Sequence, residues 1–299
     1  MSILDKLACM SDTGEILIGV APIERFEGLA PAAHPASILP GAQSVIVTAT
    51  EIQRGDYRGL EEGTVWSPAG RWDYGQPIKV AQIVEREGYN CVPYVPSADA
   101  AMPGRPVRDG AVAPNVGILV EYAAVAAGLG EIGYCGLFMT RKFGIRQSLG
   151  VAITDAPLPG TPISMETICT KCKKCASLCP LGALSATQSM TLTIMGKKME
   201  IGLINENACK VCPNGVYTDT QLLPGWDELY HKINKSNQLV SFSQPVSGLS
   251  SLNRLKAACG RACVASFEHE DMRRYSHDFR VRAPWGMRPA EMEDYDDYK

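Results

Sequence analysis

The chain of 299 residues has little net charge, few histidines and no long apolar run, and each shortage closes off a class of function. At a formal charge of −3 it offers neither nucleic acid nor an anionic bilayer a whole-chain attraction. Its four histidines are scattered, and neither His269 nor His277 has a neighbour that would complete a metal pair. The most apolar stretch, Val116 to Leu129, carries Glu121 and is too short to span a bilayer. Met1 to Gly14 has no basic segment leading into an apolar one, and no twin-arginine signal. These absences give the expectation of a soluble, cytoplasmic protein with neither a membrane nor a nucleic-acid partner. Hydrophobic content of 45% and charged content of 20% describe an ordinary globule. The length suits roughly two domains with a substantial core.

Cysteine, by contrast, is abundant. Of the 11 in the chain, Cys169, Cys172, Cys175 and Cys179 are followed by Pro180 in the spacing C-x₂-C-x₂-C-x₃-C-P. This is the bacterial ferredoxin spacing for a cubane iron–sulfur cluster, in which the fourth thiolate ligates a second cluster. The chain must wrap so that each sulfur meets a different corner of one small cube, and Pro180 ends the wrap. A zinc site more often shows two C-x-x-C pairs separated by a longer stretch. Disulfides are disfavoured in a chain read as cytoplasmic. Two further pairs, Cys209 with Cys212 and Cys259 with Cys263, complete a set of eight. Cys259-x₃-Cys263 repeats the spacing of Cys175-x₃-Cys179, as expected if the last cysteine of each half crosses over. The expected assignment is therefore Cys169, Cys172, Cys175 and Cys263 on one [4Fe–4S] cluster, with Cys179, Cys209, Cys212 and Cys259 on the other. Cys9, Cys91 and Cys135 remain, each expected to be a small buried hydrophobe. Cys135 has the alternative of facing a cofactor.

Along the chain, Ile16–Ala21 and Ser44–Thr48 read as buried strands, and Ser148–Thr154 as another. Tyr74–Glu87 reads as a helix stopped by Gly88. Pro93–Pro114 is dense in proline and glycine and reads as a long loop. Asn115 is placed to cap an alanine-rich helix closing at Gly128. Thr191–Ile201 alternates on either side of Met195-Gly196, a hairpin signal. The expected organisation is α+β: a first domain over residues 1–160, a cluster domain over 161–270, and an extension with an acidic tail over 271–299.

Gly128, Gly130 and Gly133 match the letters of the dinucleotide fingerprint, but a helix precedes them where that motif needs a strand. Two readings stay open for them: a helix cap with close backbone packing, or a loop that faces a cofactor. The stretch Ala127-Gly128-Leu129-Gly130-Glu131-Ile132-Gly133, followed by Gly136-Leu137-Phe138-Met139-Thr140, Phe143-Gly144, Arg146 and Thr154-Asp155, resembles the signature of the epoxyqueuosine reductase and reductive dehalogenase superfamily. Leu39-Pro40-Gly41-Ala42 and Arg71-Trp72-Asp73-Tyr74 add to the likeness, as does the cysteine module that follows.

The resemblance implies a nitroreductase-like α/β core that binds a corrinoid, cobalamin, joined to a ferredoxin-like domain with two [4Fe–4S] clusters. The clusters would pass single electrons to cobalt, which would reduce a small organic substrate. FMN is the alternative cofactor. Gly128, Gly130, Gly133, Tyr134, Gly136 and Arg146 are the residues it points to for cofactor binding. Epoxyqueuosine reductase carries a carboxylate before the helix that leads into the glycines, whereas this chain has Ala113-Pro114-Asn115. The family's helical-repeat module for tRNA has no counterpart in this sequence either, which disfavours a tRNA reaction. Tyr74 and Tyr134 are then the candidate proton donors. Lys171, Lys173 and Lys174 lie between the ligands of the first cluster. They are either a solvated face or a dock for an acidic electron donor such as ferredoxin or flavodoxin. A different class of function, an electron-transfer protein serving a cofactor on a partner, is the alternative to an enzyme.

Overall fold

The computed structural model describes residues 1–61, 75–94, 106, 108–111, 116–210, 212, 214, 254–270, 275–279, 281 and 283–284. In chain order these form α1 (Ile3–Ser11), β1 (Ile16–Pro22), β2 (Ser44–Glu51), α2 (Arg54–Glu61), α3 (Gly75–Glu85), β3 (Cys91–Tyr94), α4 (Val120–Ala126), β4 (Glu131–Ile132), β5 (Phe138–Met139), β6 (Gln147–Thr154), α5 (Lys174–Ser177), β7 (Leu184–Ile194), β8 (Lys197–Ile204), α6 (Glu206–Lys210) and α7 (Ala258–Glu270). The mixed helix and strand class is as expected. Among the described residues, no helix is long and apolar enough to cross a membrane.

The main sheet runs β1-β2-β6-β3, and every neighbouring pair is antiparallel. Alternation along β2 and β6 sorts its two faces. Val45, Val47, Leu149, Val151 and Ile153 pack against Val120, Ala123 and Ala124 of α4. Ile46 and Ala152 point the other way, to Ile3 and Leu7 of α1 and Val80 and Val84 of α3. The small alanines of α4 let the helix lie close to the sheet, so the glycine motif that follows is anchored at one end.

Helix α4 is shorter than the sequence suggests. Leu119, in extended backbone (φ −76°, ψ 90°), is its N-cap, and before it the amides of Gly117 and Ile118 donate to Ala32 O and Tyr94 Oη. Strand β3 starts the segment expected to be a loop, Pro93 being held at the sheet edge where a missing N–H is tolerated. Helix α1 has a signature in the sequence that the reading passed over: Ser2 and Asp5 form a reciprocal capping box. Cys91 is buried as expected, and burial pushes its thiol up to about 12. Cys9 corrects the expectation, since it sits on the solvent face of α1.

The β7–β8 hairpin turns at Met195 and Gly196, both with positive φ (48° and 78°), as a two-residue primed turn requires. Its residues Ile194, Met199 and Ile201 join the same core as β2, β6 and α4. Ile52 and Tyr57 in turn share a core with Cys175, Cys179 and Cys259. Apolar packing thus runs across residue 160 in both directions.

Candidate functional site

The first cysteine run is a tight wrap. Lys171 and Lys173 flank Cys172 and both take left-handed backbone, at φ 56° and 59°. Such values are uncommon for side chains other than glycine and mark a segment held by its surroundings. Cys172 is exposed, with its sulfur 3.5 Å from Ser266 Oγ of α7, while Cys175 is buried on α5. Backbone amides point at the sulfurs: Tyr134 N–H donates to Cys169 Sγ at 3.3 Å and Leu184 N–H to Cys179 Sγ at 3.4 Å.

Helices α5 and α7 pack together, and the chain arranges its thiols into two groups around them. One small cavity is lined by Cys179, Cys209, Cys212 and Cys259, brought from three separate segments. A second cavity is lined by Cys169, Cys172 and Cys263. Cys259 and Cys263 are one turn apart on α7, so a single helix serves both groups. Cys135 and Cys175 are buried in one core cluster, with Cys169 and Cys263 packed against it. Among the described residues no three His, Cys, Asp or Glu side chains are placed to hold a single metal ion.

The group around Cys179 is dry. All four of its thiols are buried, and burial pushes those of Cys179, Cys209 and Cys259 up, Cys209 to about 11. Without a metal these are neutral thiols, so loading the site must release protons. Arg254, 2% exposed, stands beside it with Nη1 3.7 Å from Cys209 Sγ and 3.7 Å from Glu206 Oε1. Burial opposes its charge, but the neighbouring Cys209 and Glu206 more than offset that. A fixed cation at this point favours negative charge on the sulfurs.

The glycine motif is filled by protein. Gly128 is the left-handed residue (φ +75°) ending α4: its amide bonds Val125 O and that of Leu129 bonds Ala124 O, the Schellman pattern. A Cβ at Gly130 would stand 1.9 Å from Met139 O, and one at Gly133 would stand 2.5 Å from Met139 Sδ. Of the two readings left open, cap and close packing is the one these contacts match. Gly130→Ala should therefore destabilise the metal-free protein by about 3 kcal/mol, the upper range for overpacking. Urea unfolding of the apoprotein checks this; an unchanged midpoint would restore the view of Gly130 as a cofactor cradle.

Other expected site residues land as follows. The Tyr134 ring is buried against the hairpin, and its hydroxyl donates to Ser185 O at 2.9 Å. Burial, then Glu200 and Cys175, raise its pKa, and the bonded hydroxyl ties the glycine motif to the start of the hairpin. Arg146, expected at a cofactor edge, is 3% exposed and bonds Glu268 Oε1 at 2.7 Å, Glu51 Oε1 at 3.2 Å and Ile52 O. Its donors serve protein partners. Gly136 turns the β4–β5 connection with φ 70°. Tyr74, Asn115 and most of Pro93–Pro114 lie outside the described residues. Lys171 pairs with Glu200 at 2.9 Å, and Lys173 donates to Ala186 O at 2.8 Å.

Two residues that the sequence reading missed hold the entry to the cysteine run. Buried Glu131 accepts from the amides of Ile168 (2.9 Å) and Cys169 (2.6 Å), and faces Lys197 Nζ at 3.3 Å. Lys197 also donates to Ser164 O and Glu166 O. The glycine motif, the hairpin and the first cluster loop are thus joined by one buried ion pair. A cavity of about 310 Å³ lies between α5, α7 and residues 275–279, and none of its described lining residues belongs to the glycine motif.

No family model matches the chain. A stretch of 74 residues is 46% identical to the tetrachloroethene reductive dehalogenase of Desulfitobacterium hafniense, covering 24% of this chain and 13% of that one. A stretch of 158 residues is 30% identical to epoxyqueuosine reductase of Pseudomonas aeruginosa, covering 50% and 40% respectively. The matched stretches therefore span less than half of either curated relative. Among solved structures, epoxyqueuosine reductase from Streptococcus thermophilus aligns over 89% of this chain and 81% of that one, at 14% identity and a TM-score of 0.42. The two names that the glycine and cysteine motifs led us to expect both recur among the sequence relatives, and both belong to reductases.

Proposed function

We propose that this chain, a relative of the epoxyqueuosine reductases and reductive dehalogenases, is an iron–sulfur reductase carrying low-potential electrons on two [4Fe–4S] clusters. The observation that supports this most is the cavity lined by Cys179, Cys209, Cys212 and Cys259. Four sulfurs surrounding a space, not converging on a point, suit a cluster in which each thiolate meets a different iron. Cys169, Cys172, Cys175 and Cys263 would hold the first cluster and the cavity set the second, in a ferredoxin-like module following a nitroreductase-like core. When bound, the clusters supply one-electron transfer at potentials that reach about −700 mV at the low end. This chain's residues supply the rest: Tyr134 and Leu184 amides bond cluster sulfurs, Arg254 offsets charge, and burial excludes water.

The acceptor in this proposal is a corrinoid that reduces a small organic substrate, a reading drawn from the sequence resemblance. The contacts around Gly128, Gly130 and Gly133 do not fit a cradle for it, so no residue is assigned to hold the corrinoid and no step is routed through it. That same filling favours the second reading, an electron-transfer protein whose first half carries flavin or no cofactor. An acidic donor of the ferredoxin or flavodoxin kind would dock at the exposed Cys172 edge, beside Lys174. Its rate of reduction should fall as salt rises.

Anaerobic reconstitution with iron and sulfide, in the presence of cobalamin or FMN and followed by desalting, tests the proposal. About eight irons per chain are expected for two cubanes, with cobalamin retained one to one. Zinc, or far fewer irons, overturns the cluster reading. Clusters without corrinoid leave the electron-transfer reading, and retained FMN changes the chemistry of the first half.

A further inference from the structure

Residues 157–173 bring the chain from the sheet to the first cysteine run without forming a helix or a strand. Their amides must therefore find partners outside a regular ladder. Those of Ile168 and Cys169 both end on one carboxylate oxygen, Glu131 Oε1, at 2.9 and 2.6 Å. Three positions further along the glycine motif, the Tyr134 amide donates to the Cys169 sulfur at 3.3 Å. Cys169 is thus gripped at its amide and at its sulfur by one short stretch. A Cβ at Gly133, between the two grips, would stand 3.6 Å from Cys169 Cβ, so the motif backbone lies against this cysteine. The stretch is itself fixed to β8. Glu131 Oε2 lies 3.3 Å from Lys197 Nζ, with both side chains almost wholly buried, and the Gly202 amide donates to Tyr134 O at 2.9 Å.

We propose, resting on the cluster reading above, that the glycine motif is a socket for the first cluster and that Glu131 is its positioning residue. A carboxylate suits the task because one oxygen accepts two amides while the other answers the lysine. Without that acceptor, an irregular segment has little to fix the direction in which it presents the Cys169 thiolate. With it, the thiolate is aimed before the cluster arrives and held after it. The ligands of the second cluster come from other segments, and that cluster should not feel the loss of Glu131.

Glu131→Ala alone would strand the buried Lys197 cation, so the test removes both charges together. Glu131→Leu with Lys197→Met takes the acceptor away, whereas Glu131→Gln with Lys197→Met keeps a carbonyl oxygen for the two amides. The full-length proteins are reconstituted with iron and sulfide and exposed to an iron chelator, and the resonance of each reduced cluster is followed. Cys209→Ala supplies the spectrum of the first cluster alone. The leucine variant should lose the first cluster about tenfold faster than the glutamine variant, the factor expected for a stranded buried amide. The second cluster should decay alike in both. Equal loss of the first cluster in the two variants would overturn the proposal. So would loss of both clusters together in the leucine variant, the mark of a general loosening. In metal-free wild type, the Ile168 and Cys169 amides should exchange hydrogen at least about tenfold more slowly than an unstructured chain. Exchange at the unstructured rate would overturn the proposal even where the leucine variant fails to fold. Wild type with slow exchange but no cubane signal would overturn the cluster reading, and with it the role given to Glu131.

Discussion

Cys179→Ala and Cys259→Ala should each remove the same cluster, about half of the chain's iron, although 80 positions separate them in sequence. The reason is the crossing. Cys179 and Cys259 line one cavity with Cys209 and Cys212, whereas Cys263 lines the other with Cys169 and Cys172, and the proposal assigns Cys175 to that set. Simple sequential ligation predicts the opposite pairing, with Cys175 and Cys179 lost together and Cys259 and Cys263 lost together. Iron analysis alone does not separate the two schemes, because each loses half. The resonance signature of the surviving cluster does: Cys179→Ala and Cys259→Ala should leave one spectrum, and Cys175→Ala the other. Cys263→Ala belongs with Cys175→Ala. If the Cys179→Ala spectrum matches that of Cys175→Ala, the crossing is wrong.

The cysteine spacing carries the cluster proposal because a cubane would impose geometry on the chain, and that geometry can be written as intervals. The hairpin was legible for the same kind of reason, since a two-residue primed turn demands positive φ at Met195 and Gly196 and the flanking alternation fixes which face is buried. What the sequence did not disclose depends on partners far away in the chain. The glycine letters do not say whether a ligand or Met139 will occupy the space beside Gly130. The arginine letters do not say that Arg146 will meet Glu268, more than a hundred positions later. The alanine-rich pattern does not say that α4 starts only after an extended Leu119, in a segment whose amides at Gly117 and Ile118 are tied to Ala32 O and Tyr94 Oη from two other parts of the chain. Glu131 and Lys197 gave no local signal, and their pairing is visible only once the hairpin packs against the glycine motif.

Arg146→Met should cost about 3–5 kcal/mol of stability, the usual result of stranding a buried carboxylate, and should cost clusters as well. The guanidinium spans Glu51 on β2, Ile52 O beyond it and Glu268 on α7, and both carboxylates are largely buried. A methionine fills the volume but leaves those groups without the cation between them. Arg54 Nε lies 3.3 Å from Glu268 Oε2 and Tyr275 Oη donates to Glu51 Oε1 at 3.3 Å, so each carboxylate keeps a partner and the loss should fall toward the lower end of that range. Arg146→Lys should fall between, because a point charge does not serve a fork of acceptors in three directions. Since α7 also carries Cys259 and Cys263, loosening its far end should speed the loss of iron to a chelator at temperatures where wild type holds it. Urea midpoints and chelation rates should therefore move together across wild type, lysine and methionine. A methionine variant as stable as wild type would mean that the network is not what fixes α7 to the sheet. A large loss of stability with unchanged iron retention would mean that the cysteine helices are held in place without it.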